Sequence, residues 1–282
     1  MDCATESPWK TCFFELIGLK EPRLDVRWEP SPRDVVGEMI GMADVRDADV
    51  VYDLGCGDGR CVIAAARQTG ARAVGVDLDP QRIRECRQNA LREEVGGLVR
   101  FLNADLFETG IGEATVLFLF LFPHVNARLR PKLLAEARPG ARIVSYCHDM
   151  ERWEADRSIR VRANYLYLWI VPANVSGRWE GVVRTKGRQL PLRLELQQEF
   201  QMVSGMVSLG GEVLFISNTP LKGDTFRFAG LESTDGKISG TILNGRVKDD
   251  VIQGVILRTG RAGEAGAWTA RLDPSTRTSL AK

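Results

Sequence analysis

The chain has 282 residues, 44% of them hydrophobic, enough to bury more than one core, so two domains are expected. Its 38 Lys and Arg balance 37 Asp and Glu to a net charge of +1; no whole-chain field draws nucleic acid or an anionic membrane, and neither is expected as a partner. The cysteines (Cys3, Cys12, Cys56, Cys61, Cys86, Cys147) include no C-x-x-C pair, which argues against a disulfide or zinc framework and for reduced thiols in the cytoplasm.

Residues 1–27 carry a short apolar patch, Cys12 to Leu19, interrupted by Glu15. Without a basic leader or a small-residue cleavage site it does not read as a signal peptide, and an N-terminal arm is expected. Nowhere do 18 uninterrupted apolar residues suggest a membrane span. At Trp28-Glu29-Pro30-Ser31-Pro32 a helix is announced: Ser31 suits an N-cap, Pro32 the first helical position, and Val35, Val36, Met39, Ile40 and Met42 follow at helical spacing.

Val50 to Arg60 reads as a strand ending at Asp53, a turn with Gly55, Gly57 and Gly59 at alternate positions, and the start of a helix running to Gln68. Such a turn needs positive φ and backbone without Cβ, so that a flat ligand can lie against it. The spacing is G-x-G-x-G, not the G-x-G-x-x-G of dinucleotide sites. Ala73 to Asp77 is a second strand ending in an acid at the distance needed to reach a ribose diol. A helix over 80–91 and a third strand, Val99 to Asn103, follow. Ala114 to Phe122 is a continuous apolar run, as for a central strand covered on both faces. Next come Pro123-His124, a helix to about Arg138, a strand from Ala141 to Tyr146, and a hairpin pairing 159–162 with 165–171 around Ala163-Asn164. The two histidines, His124 and His148, both fall just past strand ends, where open α/β sheets bind ligands; neither has metal-ligand spacing, and no metal is expected.

Asp53-Leu54-Gly55-Cys56-Gly57-Asp58-Gly59 resembles the first motif of class I, seven-strand, S-adenosylmethionine-dependent methyltransferases, and Asn103-Ala104-Asp105-Leu106 resembles that family's adenine-binding acid. The lead-in is similar to that of the ATP-synthase c-subunit lysine methyltransferases and their bacterial relatives, where a Tyr-x-Pro segment closes over the methyl donor. Trp28 stands in place of that tyrosine, as an aromatic wall or as a hydrophobic staple on the helix start. The resemblance implies a Rossmann-like α/β sheet with helices on both faces over 28–173. It implies S-adenosylmethionine as cofactor, S-adenosylhomocysteine as product, and donor contacts from Asp53, Gly55, Cys56, Gly57, Gly59, Asp77, Leu78, Asn103, Asp105, Leu106 and Phe120. His124 and Trp28 are the candidate catalytic residues. N-methylation of a protein lysine is the leading expectation; a small-molecule acceptor, or donor binding without turnover, are the alternatives. Methyltransferases acting on planar nitrogens often carry Asp or Asn, then Pro-Pro, then Tyr or Phe after the fourth strand, and Leu121-Phe122-Pro123-His124 departs from that.

From about Asn174 the pattern becomes short alternating segments: 179–184, 190–197, 202–208, 212–218, 225–229, 237–243, 251–257 and 267–272. Gly210-Gly211, Asp235-Gly236 and Asn244-Gly245 read as turns between them. Recurring glycine and β-branched units at Gly205, Gly240 and Gly254 suggest a barrel or sandwich over 174–282, with Trp179 and Trp268 adjacent if it closes. This domain is expected to serve packing or homo-oligomerisation, or to recruit substrate, and to be separable from the donor-binding part.

Overall fold

The computed structural model describes residues 29–185, 187–234, 237–259 and 265–280. Trp28, the arm over 1–27 and the Asp235-Gly236 turn lie outside them. After helix α1 (Arg33–Met42) come β1 (Val50–Leu54), α2 (Arg60–Thr69), β2 (Arg72–Asp77), α3 (Pro80–Arg92), β3 (Val99–Asn103), β4 (Val116–Leu119), α4 (Pro123–Glu136), β5 (Arg142–Tyr146), β6 (Arg157–Val161) and β7 (Asn164–Ile170). The strands form one sheet in the order β3-β2-β1-β4-β5-β7-β6, parallel except for β7, which runs antiparallel to both neighbours. One face packs against α1, α2 and α3 through Val36, Val62 and Ile83, the other against α4 through Val125, Leu129 and Leu133. Strand order reverses between β1 and β4, so the crevice that open α/β sheets use for ligands lies at their carboxyl ends.

Two local expectations are corrected. The apolar run over 114–122 pairs only from Val116 to Leu119, because its partner β1 ends opposite Leu119 at Leu54, where the glycine turn begins. Phe120 and Phe122 therefore lie beyond the ladder, on the rim of the crevice. Ser31 does not cap α1: Pro32 is the N-cap residue, no side chain caps it, and Ser31 is buried against the glycine loop instead.

The second unit contains β8 (Gly177–Thr185), β9 (Arg188–Glu199), β10 (Met202–Leu209), β11 (Glu212–Pro220), β12 (Thr225–Thr234), β13 (Lys237–Lys248), β14 (Val251–Thr259) and β15 (Ala265–Leu272). They form an antiparallel sheet in the order β11-β10-β9-β8-β15-β14-β13-β12, curled until β11 and β12 face each other, a nearly closed barrel. Its interior is filled by side chains such as Trp179, Leu194, Val207, Phe228, Ile252 and Trp268. Trp179 and Trp268 lie on paired strands but are staggered: Trp268 is opposite Val183 and Trp179 opposite Leu272. Asn244-Gly245 is not a turn. It lies within β13, where Gly245 pairs with Gly254, and a Cβ on Gly245 would come 2.7 Å from the Phe226 ring and 2.8 Å from that of Trp268. Two large inward rings occupy the space that a side chain there would need.

The barrel shares a core with the first unit. Phe200, in the β9–β10 turn, stacks on Trp153 (6.2 Å between centroids) and joins the α4-side core together with Leu280. The Gln201 Nε2 group donates to the Glu154 carbonyl (2.9 Å), and the Ala173 amide to Gly223 O (2.8 Å). Among the described residues no helix is long and apolar enough to cross a membrane.

A Cβ on Gly254 would lie 1.9 Å from the Asn244 backbone oxygen, which cannot swing away, whereas one on Gly97 meets nothing within 4 Å. Gly254→Ala is expected to destabilise the barrel by about 1–3 kcal/mol, with Gly97→Ala near neutral, as read by urea unfolding of the two variants. Equal midpoints would show that the close strand approach at Gly254 is not needed.

Candidate active site

The crevice is built from the ends of β1, β2 and β4. Gly55, Gly57 and Gly59 adopt φ of +88°, +55° and +81°, the region where a Cβ is costly. The Gly55 and Cys56 amides both donate to Val76 O (2.8 and 2.9 Å), which fastens the loop to β2. Asp77 continues that attachment. Its Oδ2 accepts from the Gly57 amide (2.8 Å) and its Oδ1 from the Asp79 amide (2.9 Å). Each oxygen keeps further acceptor capacity. Burial raises the Asp77 pKa, and the two amides act against that rise. Asn103 acts one layer further out, with its Nδ2 donating to the carbonyls of Asp77 (3.1 Å) and Leu78 (2.8 Å). Asp105 fixes its own loop by accepting the Phe107 amide at Oδ1 (2.8 Å), and Arg128 of α4 lies 3.7 Å over the Phe107 ring.

Asp53 lies at the floor, 5% exposed. Burial, then the negative Asp77, with a smaller contribution from Asp58, pushes its carboxyl up to about 7, while a hydrogen bond with the Cys61 thiol pulls the other way. A small cavity bounded by Glu29, Ser31, Asp53, Gly55, Arg60 and Phe120 opens above it. Arg60, at the first position of α2, holds Asp58 through two bonds (Nε to Oδ1 2.9 Å, Nη2 to Oδ2 2.6 Å) and donates from Nη1 to the Ser31 carbonyl (2.8 Å). Burial would raise the Asp58 carboxyl, but the Arg60 guanidinium outweighs it and the net shift is downward. The lead-in is latched again where Arg162, in the β6–β7 turn, forms a two-bond pair with Asp34 of α1 (2.6 and 2.8 Å).

The remaining wall is aromatic. Phe120 tilts against Tyr146 at 5.0 Å, and Phe122 stacks with both His124 (6.2 Å) and His148 (6.0 Å). The structure thus brings together Asp53, Gly55, Cys56, Gly57, Gly59, Asp77 and Phe120, with Leu78, Asn103, Asp105 and Leu106 on the adjoining β2 and β3 loops and His124 on the β4 rim. Ser31, Asp58 and Arg60 were missed as site residues. The acid-x-Arg spacing of Asp58 and Arg60 was the one available signal for them.

The chemistry of this set fits S-adenosylmethionine. The cavity sets carboxyls (Asp53, Asp58, Glu29) and a guanidinium (Arg60) around one small space, as a zwitterionic amino-acid group requires, and Asp77 presents an acceptor pair beside it. Fold and site together define a Rossmann-like methyltransferase. The family model described as the ANTKMT methyltransferase domain matches residues 53–157. A protein-lysine N-methyltransferase of Saccharolobus islandicus is 39% identical over 151 residues, which are 52% of this chain and 94% of that protein. The lysine N-methyltransferase of Mus musculus that acts on the ATP synthase c-subunit is 33% identical over 129 residues; the match covers 46% of this chain and about half (51%) of the mouse protein. The crystal structure of an RNA methyltransferase from Salinibacter ruber in complex with S-adenosyl-L-homocysteine is 46% identical, with a TM-score of 0.52 over 52% of this chain and 96% of that one. The chain belongs to this family of S-adenosylmethionine-dependent methyltransferases.

Asp53 gives a pH signature. The folded protein keeps its proton where the unfolded chain, with a carboxyl near about 4, has lost it. The destabilisation is therefore absent below about pH 4, grows as pH rises and is complete above about 7. Asp53→Asn is expected to flatten the loss of stability between acid and mildly alkaline pH in urea melts of the ligand-free protein. An unchanged profile would mean that the buried carboxyl is ionised throughout. For Asp77→Ala, calorimetry with S-adenosylhomocysteine is expected to show a loss of about 1.5–3 kcal/mol.

Proposed function

We propose that the protein is a protein-lysine N-methyltransferase acting in the cytoplasm, where its free thiols stay reduced. The observation that carries this is the likeness to the archaeal protein-lysine enzyme over nearly all of that enzyme's length, set against an acceptor edge lined by the Phe122, His124 and His148 rings. Bound in the crevice, S-adenosylmethionine supplies a methyl group already activated by its sulfonium. Asp77 would hold the ribose hydroxyls, Asp105 and Leu106 the adenine, and the Gly55–Gly59 loop with Arg60 and Asp53 the amino-acid end. The work left to the chain is positional: acceptor, methyl and sulfur must be collinear in a site short of water. Apolar Phe120, Phe122 and Pro123 exclude water there and favour the neutral amine over its ammonium. His124, exposed at the start of α4, is placed to accept the proton that a lysine must lose before it reacts.

A second reading, an RNA acceptor, is raised by the likeness to the Salinibacter ruber protein, which is described as an RNA methyltransferase. Incubating the full chain with labelled donor and, in parallel, a cell protein extract and total RNA separates the two. Label in protein, released as methyl-lysine on hydrolysis, is the expected result, and label confined to RNA or to small metabolites would replace this reading. With the protein acceptor, His124→Ala is expected to lower turnover by about a hundredfold while donor affinity changes little, the pattern of a general base. Full activity would move proton acceptance elsewhere.

We also propose that 28–173 is the catalytic unit and that the barrel over 174–282 recruits substrate or a second copy. The archaeal relative, of which the matched 151 residues are 94%, supports the first part. A chain ending at Ala173 is expected to keep S-adenosylhomocysteine binding but to melt lower, since Trp153 loses its cover by Phe200. Loss of donor affinity in a folded truncation would show that the barrel contributes to the site.

A further inference from the structure

The carboxyl edge of the sheet holds a buried polar group that donor binding does not use. Asn126, in the second turn of α4, is 0% exposed between the core residues Val125 and Leu129. Its Nδ2 points to the carbonyls of Asp149 (3.1 Å) and His148 (3.3 Å) and lies 3.4 Å from Ser145 Oγ; Ser145 Oγ in turn donates to His148 O (2.6 Å). Its Oδ1 is buried with no partner among the described residues. The unpaired Oδ1 costs stability, and the Nδ2 bonds to the two carbonyls offset it. In return the His148 carbonyl is held by two buried side chains. They secure a turn in which Cys147 takes a left-handed φ of +69°, a conformation that a non-glycine residue keeps only when its surroundings enforce it. The consequence is at the surface: His148 is set against Phe122, whose ring also stacks with His124, so the chain's two histidines share one aromatic neighbour.

We propose that Asn126, helped by Ser145, is a positioning residue of the acceptor site. It fixes His148 so that His124, Phe122 and His148 form a continuous wall along which an alkyl amine reaches the methyl donor. This rests on the amine-methyltransferase reading above. The wall can be tested without any acceptor, because an untagged chain contains only two histidines and gives two sets of imidazole NMR signals, each shifted by the Phe122 ring current. Phe122→Leu is expected to move both sets. Asn126→Leu is expected to move the His148 set and leave that of His124 in place, with S-adenosylhomocysteine affinity retained. In turnover, Asn126→Leu should lower kcat about tenfold with little change in donor KM, and the double variant with His148→Ala should be no slower than His148→Ala alone. Asn126→Gln, which keeps the amide, should restore part of the loss. If Asn126→Leu does not fold, Ser145→Ala removes the other donor to His148 O and should show the same pattern more weakly. Unmoved His148 signals, or additive losses in the double variant, would overturn the proposal. An RNA acceptor would leave the NMR result intact, so failure of the lysine reading is separately visible.

Discussion

The amides of the glycine loop after β1 are fastened to the end of β2, while Cys86 and Asn89 of α3 donate to its Gly57 and Asp58 carbonyls. Val76 O takes two of its amides and the Asp77 carboxylate takes a third, so the end of β2 determines where the loop and the first turn of α2 lie. Short positive-φ loops lose much conformational entropy on folding, and each charge-assisted bond to a carboxylate offsets about 1.5–3 kcal/mol of that. This attachment helps place what faces the crevice, with Arg60 at the head of α2, Asp53 beneath in the β1 ladder, and the cavity between them. A carboxylate that fastens the loop while keeping lone pairs for a ligand couples loop order to ligand binding.

The lead-in segment is fixed more weakly and from two directions. Arg60 reaches Ser31 O from the loop and is half-buried with Asp58, whereas the Arg162–Asp34 pair is largely exposed. An exposed pair of that kind contributes little and is screened by salt. The segment beside the glycine loop is thus tied at that loop by Arg60 and anchored beyond it by α1, whose Val35, Val36 and Met39 are buried in the core.

The barrel is bound to the Rossmann-like unit at the α4-side core, through Phe200 on Trp153, with Arg130 of α4 lying 5.6 Å over the Phe200 ring. Since α4 also begins with His124 and Asn126, the helix at the rim of the crevice is the one that touches the barrel.

The Rossmann-like unit was legible in the residues because its signals are local: three glycines at alternate positions, acids ending β1 and β2, and apolar runs too long for anything but covered strands. The eight barrel strands were likewise legible, since period-two alternation is a property of the segment itself. What sequence could not decide depends on partners distant along the chain. Gly245 looked like a turn because nothing local reveals the Phe226 and Trp268 rings that require it to lack a side chain. Ser31 looked like a cap because its side chain's competing partner, Cys61, is supplied by another element. Asn126 gave no signal at all, since a polar residue on an amphipathic helix is ordinarily exposed and only the packing of α4 against β5 buries it. Sequence determined the elements and the donor motif; tertiary packing decided which polar groups were buried, what each had to bond to, and that both histidines would stack with one phenylalanine.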